Sequence, residues 1–295
     1  MKMDRIPYVK LVGAGNDFVL VDALQGAPTK GTDWAALARG LCDPRRGEGT
    51  DGLLVLGPSR RADVRMRVFN PDGSEPAMCG NGIRCLAWYA HKSRAAGASM
   101  TIETGAGVKR ARIRGAHRVR VDMGIPVFRR RFDGFFRERG RPVDADLIDA
   151  GVPHLVCWVR DVSRVPVGPL GRRLRQDRRL GRAGANVDFA RVVASRAGRS
   201  TLTMRTYERG VEGETQACGT GSVAAAAAFA RRALRDGVRR RRFTVAVRVP
   251  GGVLRVELTA RRSTVGRTAF GPAFLEGEVL PVSTGAHRLN GRSAR

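Results

Sequence analysis

Apolar residues along this chain recur mainly with a period of two, in short stretches rich in β-branched side chains. They lie at Val9–Val12, Phe18–Val21, Leu53–Leu56, Val64–Phe69, Met100–Glu103, Val119–Met123, Leu155–Val159, Val187–Val193, Leu202–Tyr207, Phe243–Val249 and Val253–Leu258. Each predicts a strand, because alternation turns one side of an extended backbone towards a core. Helical spacing is rarer. Trp34, Leu37, Ala38 and Leu41 fall at i, i+3, i+4 and i+7, which predicts a helix over Asp33–Leu41 with Thr32 as its N-cap. Ile83, Leu86, Ala87 and Ala90 form a second stripe, and Val223, Ala227, Ala230 and Leu234 a third. The longest apolar run, Val223–Ala230, is mostly alanine; it is far shorter than a membrane span of about 20 residues and reads as a packed helix.

The pattern occurs twice. MRVFN at Met66–Asn70 leads to AMCGNG at Ala77–Gly82, and MRTYE at Met204–Glu208 leads to ACGTG at Ala217–Gly221, the second loop being one residue longer. IETGAGV at Ile102–Val108 matches VRVPGGV at Val247–Val253 in outline, and GNDFVLV at Gly15–Val21 is echoed by GVPHLVC at Gly151–Cys157. Repeats this long predict two similar domains rather than a solenoid of short units, and 295 residues suit two domains of about 150 each. The expected fold is α+β, with two pseudo-symmetric lobes, each a mainly antiparallel sheet wrapped around the helix that starts at the cysteine loop.

Composition changes this picture little. The net charge is +27, and only five of the 54 basic residues are lysine (Lys2, Lys10, Lys30, Lys92, Lys109). The arginines are scattered, with runs at Arg129–Arg131, Arg172–Arg182 and Arg239–Arg242. No nucleic-acid-binding module signature accompanies them, and 6% aromatic residues offer bases little to stack on, so a solvated Arg-rich surface is expected, without a specific nucleic-acid partner. Met1–Phe18 lacks the apolar region of a signal peptide. Five cysteines without a CxxC argue against a disulfide framework, and a reducing cytoplasm without membrane attachment is expected.

The chemistry lies in the two cysteine loops. A helix N-terminus presents unpaired N–H groups and partial positive charge, which bind a carboxylate and favour a nearby thiolate. Gly80 with Asn81, and Gly219 with Thr220, are therefore expected to hold a substrate carboxylate, the glycines permitting close backbone approach. A single CGNG or CGTG would read as a turn with a structural cysteine. Two matched copies, Cys79 and Cys218, point instead to a pair of thiols that takes a proton from one side of a carbon and returns one to the other.

Taken together, these motifs resemble diaminopimelate epimerase, a cofactor-independent amino-acid epimerase family of the lysine and peptidoglycan pathway. The resemblance is carried by KLVGAGNDF at Lys10–Phe18, GTDG at Gly49–Gly52, FNPDGSE at Phe69–Glu75, CGNGIRC at Cys79–Cys85, GANV at Gly184–Val187, YERG at Tyr207–Gly210, ETQACGTG at Glu214–Gly221 and GPA at Gly271–Ala273. It implies two lobes with the active site in the cleft between them, and Cys79 and Cys218 as the acid/base pair. His154 and Glu208 match residues that tune the thiols, while Asn16, Asn70, Asn186, Glu208 and Arg209 match those that bind the non-reacting end of the substrate. Val152 stands where many members have Asn. Gly52, counted here with the substrate-binding set, stands where some have Gln.

The lobes are expected at 1–124, with a returning strand near 268–282, and at 125–267, followed by a flexible basic tail at 283–295. No cofactor is expected, since no lysine has a recognisable Schiff-base context, and no metal, since His91, His117, His154 and His287 lack ligand spacing with the cysteines. The expected partner is a small amino-acid substrate, and a homodimer stands among the assemblies open to the chain. A same-fold epimerase of another amino acid, such as histidine, is the nearest alternative. A proline racemase is disfavoured because Asn81 stands where those enzymes typically have histidine, an Arg-rich nucleic-acid binder would be marked by tight binding at physiological salt, and a thiol-redox protein by turnover with a disulfide.

Overall fold

The structure, a computed structural model, describes residues 5–24, 31–196, 199–234, 241–264 and 267–288. The chain divides into two units, Met1–Val121 with Gly277–Arg295, and Asp122–Glu276. In the first, β1 (Arg5–Gly13), β2 (Asn16–Asp22), α1 (Trp34–Leu41), β3 (Gly52–Gly57), β4 (Val64–Phe69), α2 (Gly80–Lys92), β5 (Ser99–Thr104), β6 (Gly107–Ile113) and β7 (Arg118–Gly124) follow in order. β1 is antiparallel to β2, β2 parallel to β3, β3 antiparallel to β4, β4 parallel to β5, and β5 antiparallel to β6, which pairs with β7. Both parallel steps contain a helix, since a parallel crossover needs a connection long enough to return the chain to the same end of the sheet.

The second unit repeats the scheme. Its elements are β8 (Val127–Glu138), β9 (Arg141–Asp149), β10 (Pro153–Trp158), α3 (Val167–Arg175), β11 (Asn186–Arg196), β12 (Arg199–Glu208), β13 (Gly213–Thr215), α4 (Gly219–Ala233), β14 (Arg241–Val249), β15 (Gly252–Arg262), β16 (Thr268–Phe270) and the start of β17 (Ala273–Arg288). β10 is parallel to β11, β11 antiparallel to β12, β12 parallel to β14, and β14 antiparallel to β15, with α3 and α4 in the parallel crossovers. Gly52 of β3 pairs with Phe18, and Asn186 of β11 pairs with His154, so the two registers superpose residue for residue.

The cysteine helices lie deeper than simple stripes suggest. From Gly82 to Trp88 every residue of α2 is buried, and from Gly221 to Ala230 every residue of α4 is buried, as expected for helices enclosed by their own sheets. Small alanines let the backbone of α4 approach closely on all sides. The outer faces carry separate cores: Trp34, Leu37 and Leu41 of α1 pack with Ile6, Val19, Val21, Leu53 and Val55, and Leu174 of α3 packs with Phe132, Phe135, Phe136, Val187 and Phe189.

Several expectations need correction. The N-cap of α1 is Asp33, whose carboxylate accepts the Ala36 N–H at 2.9 Å, one residue after Thr32. The hairpin of β8 and β9 and the helix α3 were hidden by arginine, because the apolar alternation is interrupted by register shifts at Phe128/Arg130 and Phe132/Phe136. The return to the first unit begins at Gly277, because β16 and the start of β17 still pair with β15. Residues 283–288 are not a tail: β17 continues through them, pairing Ser283–Arg288 with Lys10–Arg5 of β1. Residues 289–295 lie outside the described residues.

That pairing supports a prediction. Arg5–Tyr8 lie beyond the stretch of β1 that pairs with β2, so β17 is their strand partner, and Ile6 within them is fully buried. Ending the chain at Val282 removes those hydrogen bonds, each worth about 0.5–1.5 kcal/mol net, and should lower Tm by about 5 °C or more. Calorimetry of chains ending at Val282 and at Arg288 gives the comparison; equal values would show that β1 holds its place without the partner.

Candidate active site

In the first unit, β4 leads through an Asn70–Ser74 turn to Cys79, the N-cap of α2, at φ −129° and ψ 120°. Its sulfur faces the Gly82 N–H at 3.4 Å. A methyl group on Gly82 would lie 2.8 Å from Leu54 Cδ2 and 3.4 Å from Cys79 Cβ, so only glycine lets the helix start this close to β3. The first turn is then locked by amides: Asn81 Nδ2 donates to Asn16 Oδ1 at 2.6 Å, Asn16 Nδ2 donates to Asp51 Oδ2 at 2.9 Å, and Arg84 donates to Asn81 Oδ1 and to Gly80 O, both at 2.9 Å. Asn16, Gly80 and Asn81 thus gather around Cys79. Asn70 is exposed and holds its own turn through Ser74. Gly52 is buried in β3 beneath Phe69 O.

The second unit builds the same start differently. Cys218 caps α4 at φ −111° and ψ 112°, with its sulfur 3.4 Å from the Gly221 N–H and 3.4 Å from Thr220 Oγ1. Thr220 Oγ1 lies 2.9 Å from His154 Nε2, and His154 Nδ1 lies 2.8 Å from Asp188 Oδ2, both His154 and Asp188 being fully buried. Thr206 donates to the other oxygen of Asp188 at 2.8 Å. Asn186 determines the proton positions. Its Oδ1 accepts the Arg209 N–H at 2.7 Å, so the end 3.2 Å from His154 Nε2 is the NH₂ group. Nε2 must therefore be an acceptor, and Nδ1 carries the proton towards Asp188. The Thr220 hydroxyl lies between the two groups, 2.9 Å from Nε2 and 3.4 Å from the Cys218 sulfur.

Glu208 completes this side. It accepts from Thr215 at 3.0 Å and is hydrogen-bonded by Cys218; burial first, and the Asp188 charge after it, raise its carboxyl above the ordinary range, opposed by Thr215, His154 and Cys218. The thiol of Cys218 is pushed well above its ordinary value by burial, then by Glu208 and Asp188, with only partial relief from Thr220 and the Gly221 N–H. Cys218 is therefore held protonated. Arg209 is fixed through its backbone N–H by Asn186, and one guanidinium N–H donates to Ala183 O at 3.1 Å.

Asp188 was missed in the sequence because a lone Asp within an apolar strand has no spacing signature. The pair of forks that ties each cysteine loop to its strand was legible but overlooked. Arg67 donates to both oxygens of Glu75 at 2.8 and 2.7 Å, and Arg205 to both oxygens of Glu214 at 2.6 and 2.7 Å. The arginine follows the repeated methionine in both copies. Among the described residues no group of three His, Cys, Asp or Glu side chains is arranged to hold a metal ion, and no helix is long and apolar enough to cross a membrane.

Comparison with known proteins decides the family. The family model described as diaminopimelate epimerase matches residues 8–129 and 147–275. The chain belongs to the diaminopimelate epimerase family. It is 39% identical to the diaminopimelate epimerase of Methanothrix thermoacetophila over 96% of both chains, and 39% identical to that of Archaeoglobus fulgidus over 97% of this chain and 98% of the other. The fold extends to more distant proteins. A phenazine biosynthesis protein of the PhzF family from Bacillus anthracis superposes with a TM-score of 0.71 at 16% identity, covering 97% of this chain and all of the other. A probable proline racemase from Agrobacterium radiobacter gives 0.63 at 20% identity, with 95% and 92% coverage. A diaminopimelate epimerase family member with two cysteine-capped helices is thus an isomerase built on a duplicated α+β unit.

Proposed function

We propose that this chain interconverts LL- and meso-diaminopimelate, with Cys79 and Cys218 as the proton-transfer pair, serving lysine and peptidoglycan-precursor synthesis. The observation that carries the reading is the repeated arrangement in which a cysteine caps a buried helix and its sulfur faces that helix's third N–H. One thiolate removes the α-proton and the other cysteine donates a proton to the opposite face of the α-carbon. The two groups act in opposite protonation states, so their titration belongs to the pair. First-turn N–H groups beside Gly80, Asn81, Gly219 and Thr220 bind the reacting carboxylate and stabilise the charge that develops on it. Five free cysteines accord with a reducing compartment such as the cytoplasm.

Specificity follows from the distal end of the substrate, which carries both a carboxylate and an ammonium group. Arg209 supplies guanidinium donors suited to the carboxylate, Glu208 a carboxyl group, and Asn16, Asn70 and Asn186 amides. Val152 offers none of the hydrogen bonds of an amide, a loss of about 0.5–1.5 kcal/mol, too small to abolish recognition by charged groups. Diaminopimelate should therefore be preferred over histidine, lysine and glutamate in kcat/KM, with Arg209→Lys weakening it sharply and Val152→Asn changing it modestly. Turnover in D2O should place deuterium at the product α-carbon. A preference for a substrate lacking the second amino-acid end would overturn the assignment.

A further inference from the structure

The two copies of the site share a backbone and carry opposite charges. Register places Leu54 and Asp188 at the same point of the repeat: Leu54 pairs with Val68 and underlies Gly82, whereas Asp188 pairs with Thr206 and underlies Gly221, whose added methyl group would lie 2.6 Å from Asp188 Oδ1. Phe18 matches His154, and Asn70 matches Glu208. Five residues after the cysteine the first copy has Arg84 and the second has Val223. The second helix thus starts over carboxylates, and the first over a guanidinium.

Arg84 is unusual. It is 0% exposed, it forms no ion pair with a carboxylate among the described residues, and its Nε is without a hydrogen-bond partner. Among the described residues its donors reach Gly80 O and Asn81 Oδ1, in the first turn of α2, where the helix already presents positive potential. Burying an unpaired cation beside a helix N-terminus is costly, and the cost falls if an anion occupies the same place. Three groups near this turn are candidates. Asp51 is held two amides away through Asn81 and Asn16. Cys85 is fully buried beneath Gly13 and stays neutral, burial pushing its thiol up to about 12. Cys79 is partly exposed at the cap itself, and with Cys85 it is one of the two groups whose negative charge would stabilise Arg84.

We propose that Arg84 is a positioning residue of the reaction, its buried charge holding Cys79 as the thiolate of the substrate-free enzyme while burial, Glu208 and Asp188 hold Cys218 as the thiol. This rests on the two-cysteine reading above. The duplication thereby solves the need for unlike protonation states in like sites: a cation was placed under one thiol and carboxylates by the other. Arg84 donates to Gly80 O and Asn81 Oδ1. It acts through the first turn of α2.

The test is the pH dependence of Cys79 alkylation by iodoacetamide in the substrate-free full chain, followed by peptide mass spectrometry. In the unsubstituted protein the midpoint should lie below the free-thiol value of about 8.5; a midpoint at or above it overturns the proposal. Arg84→Met and Arg84→Gln should each raise the midpoint by about one pH unit or more, a tenfold change in thiolate fraction at fixed pH. The acid limb of kcat/KM should move with it, activity recovering as pH rises. Arg84→Lys should stay near the original profile. A folded neutral variant with an unmoved Cys79 midpoint, or Arg84→Lys shifting it as far as Arg84→Met, overturns a role through charge. Should both neutral variants fail to fold, the unsubstituted midpoint and the Lys variant still decide. The profile is read without turnover, so it stands apart from the two-thiol reading, which falls separately if Cys79→Ala remains active.

Discussion

Replacing Cys218 by alanine is expected to reduce kcat by about 10²–10⁴-fold, and replacing Cys79 to do the same, because that is what a positioned proton-transfer group contributes. Neither loss should be partial. A mechanism that needs one thiolate and one thiol stops when either is absent, and the double variant should be little worse than the single ones because residues acting as a unit are strongly non-additive. Fold should survive in both: Cys218 is a buried cap whose sulfur makes long, weak contacts, 3.4 Å to both Gly221 N–H and Thr220 Oγ1, and Cys79 is only partly buried. Steady-state assay of LL-diaminopimelate conversion, with circular dichroism as control, measures this. Full activity in a folded Cys79→Ala or Cys218→Ala protein would falsify the two-thiol mechanism.

Asp188→Leu should be the most destabilising single change near the second cysteine. The substitution copies the residue that the first repeat places there, so it suits the backbone and the strand. Its effect comes from the partners left behind. The His154 Nδ1–H and the Thr206 hydroxyl both lose their acceptor in a fully buried setting, and each orphaned group costs about 1–3 kcal/mol. A fall in Tm on the order of 5–15 °C is expected, together with a loss of turnover, since His154 then has nothing to fix its Nδ1–H tautomer. Asp188→Asn should lie between, keeping one acceptor and losing the charge. Thermal unfolding at neutral pH decides: an unchanged Tm for Asp188→Leu would mean that His154 and Thr206 find other partners.

Apolar period and motif spacing carried most of the framework. Alternation over residues such as Leu53–Leu56 and Leu202–Tyr207 marks strands because a half-buried sheet permits little else, and the repeated cysteine loops marked both helix starts. What failed failed locally. Arg129–Arg131 masked a strand whose buried face is supplied by Phe132, Phe135 and Phe136, and Ser283–Arg288, without an apolar alternation, gave no sign of pairing with β1, because a strand held by backbone hydrogen bonds needs no apolar side chains of its own.

The sequence by itself determined the duplication, the α+β class, the two cysteines and the family, since these rest on residue types at fixed separations. Tertiary structure decided what surrounds each thiol. Asp188 is an ordinary strand residue until the β10–β11 register sets it against His154, and Arg84 an ordinary helix residue until the wrapped sheet buries it without a carboxylate. Charge acts through distance and desolvation, and neither is written along the chain; both arise only when β3 and β11 bring Leu54 to one helix start and Asp188 to the other.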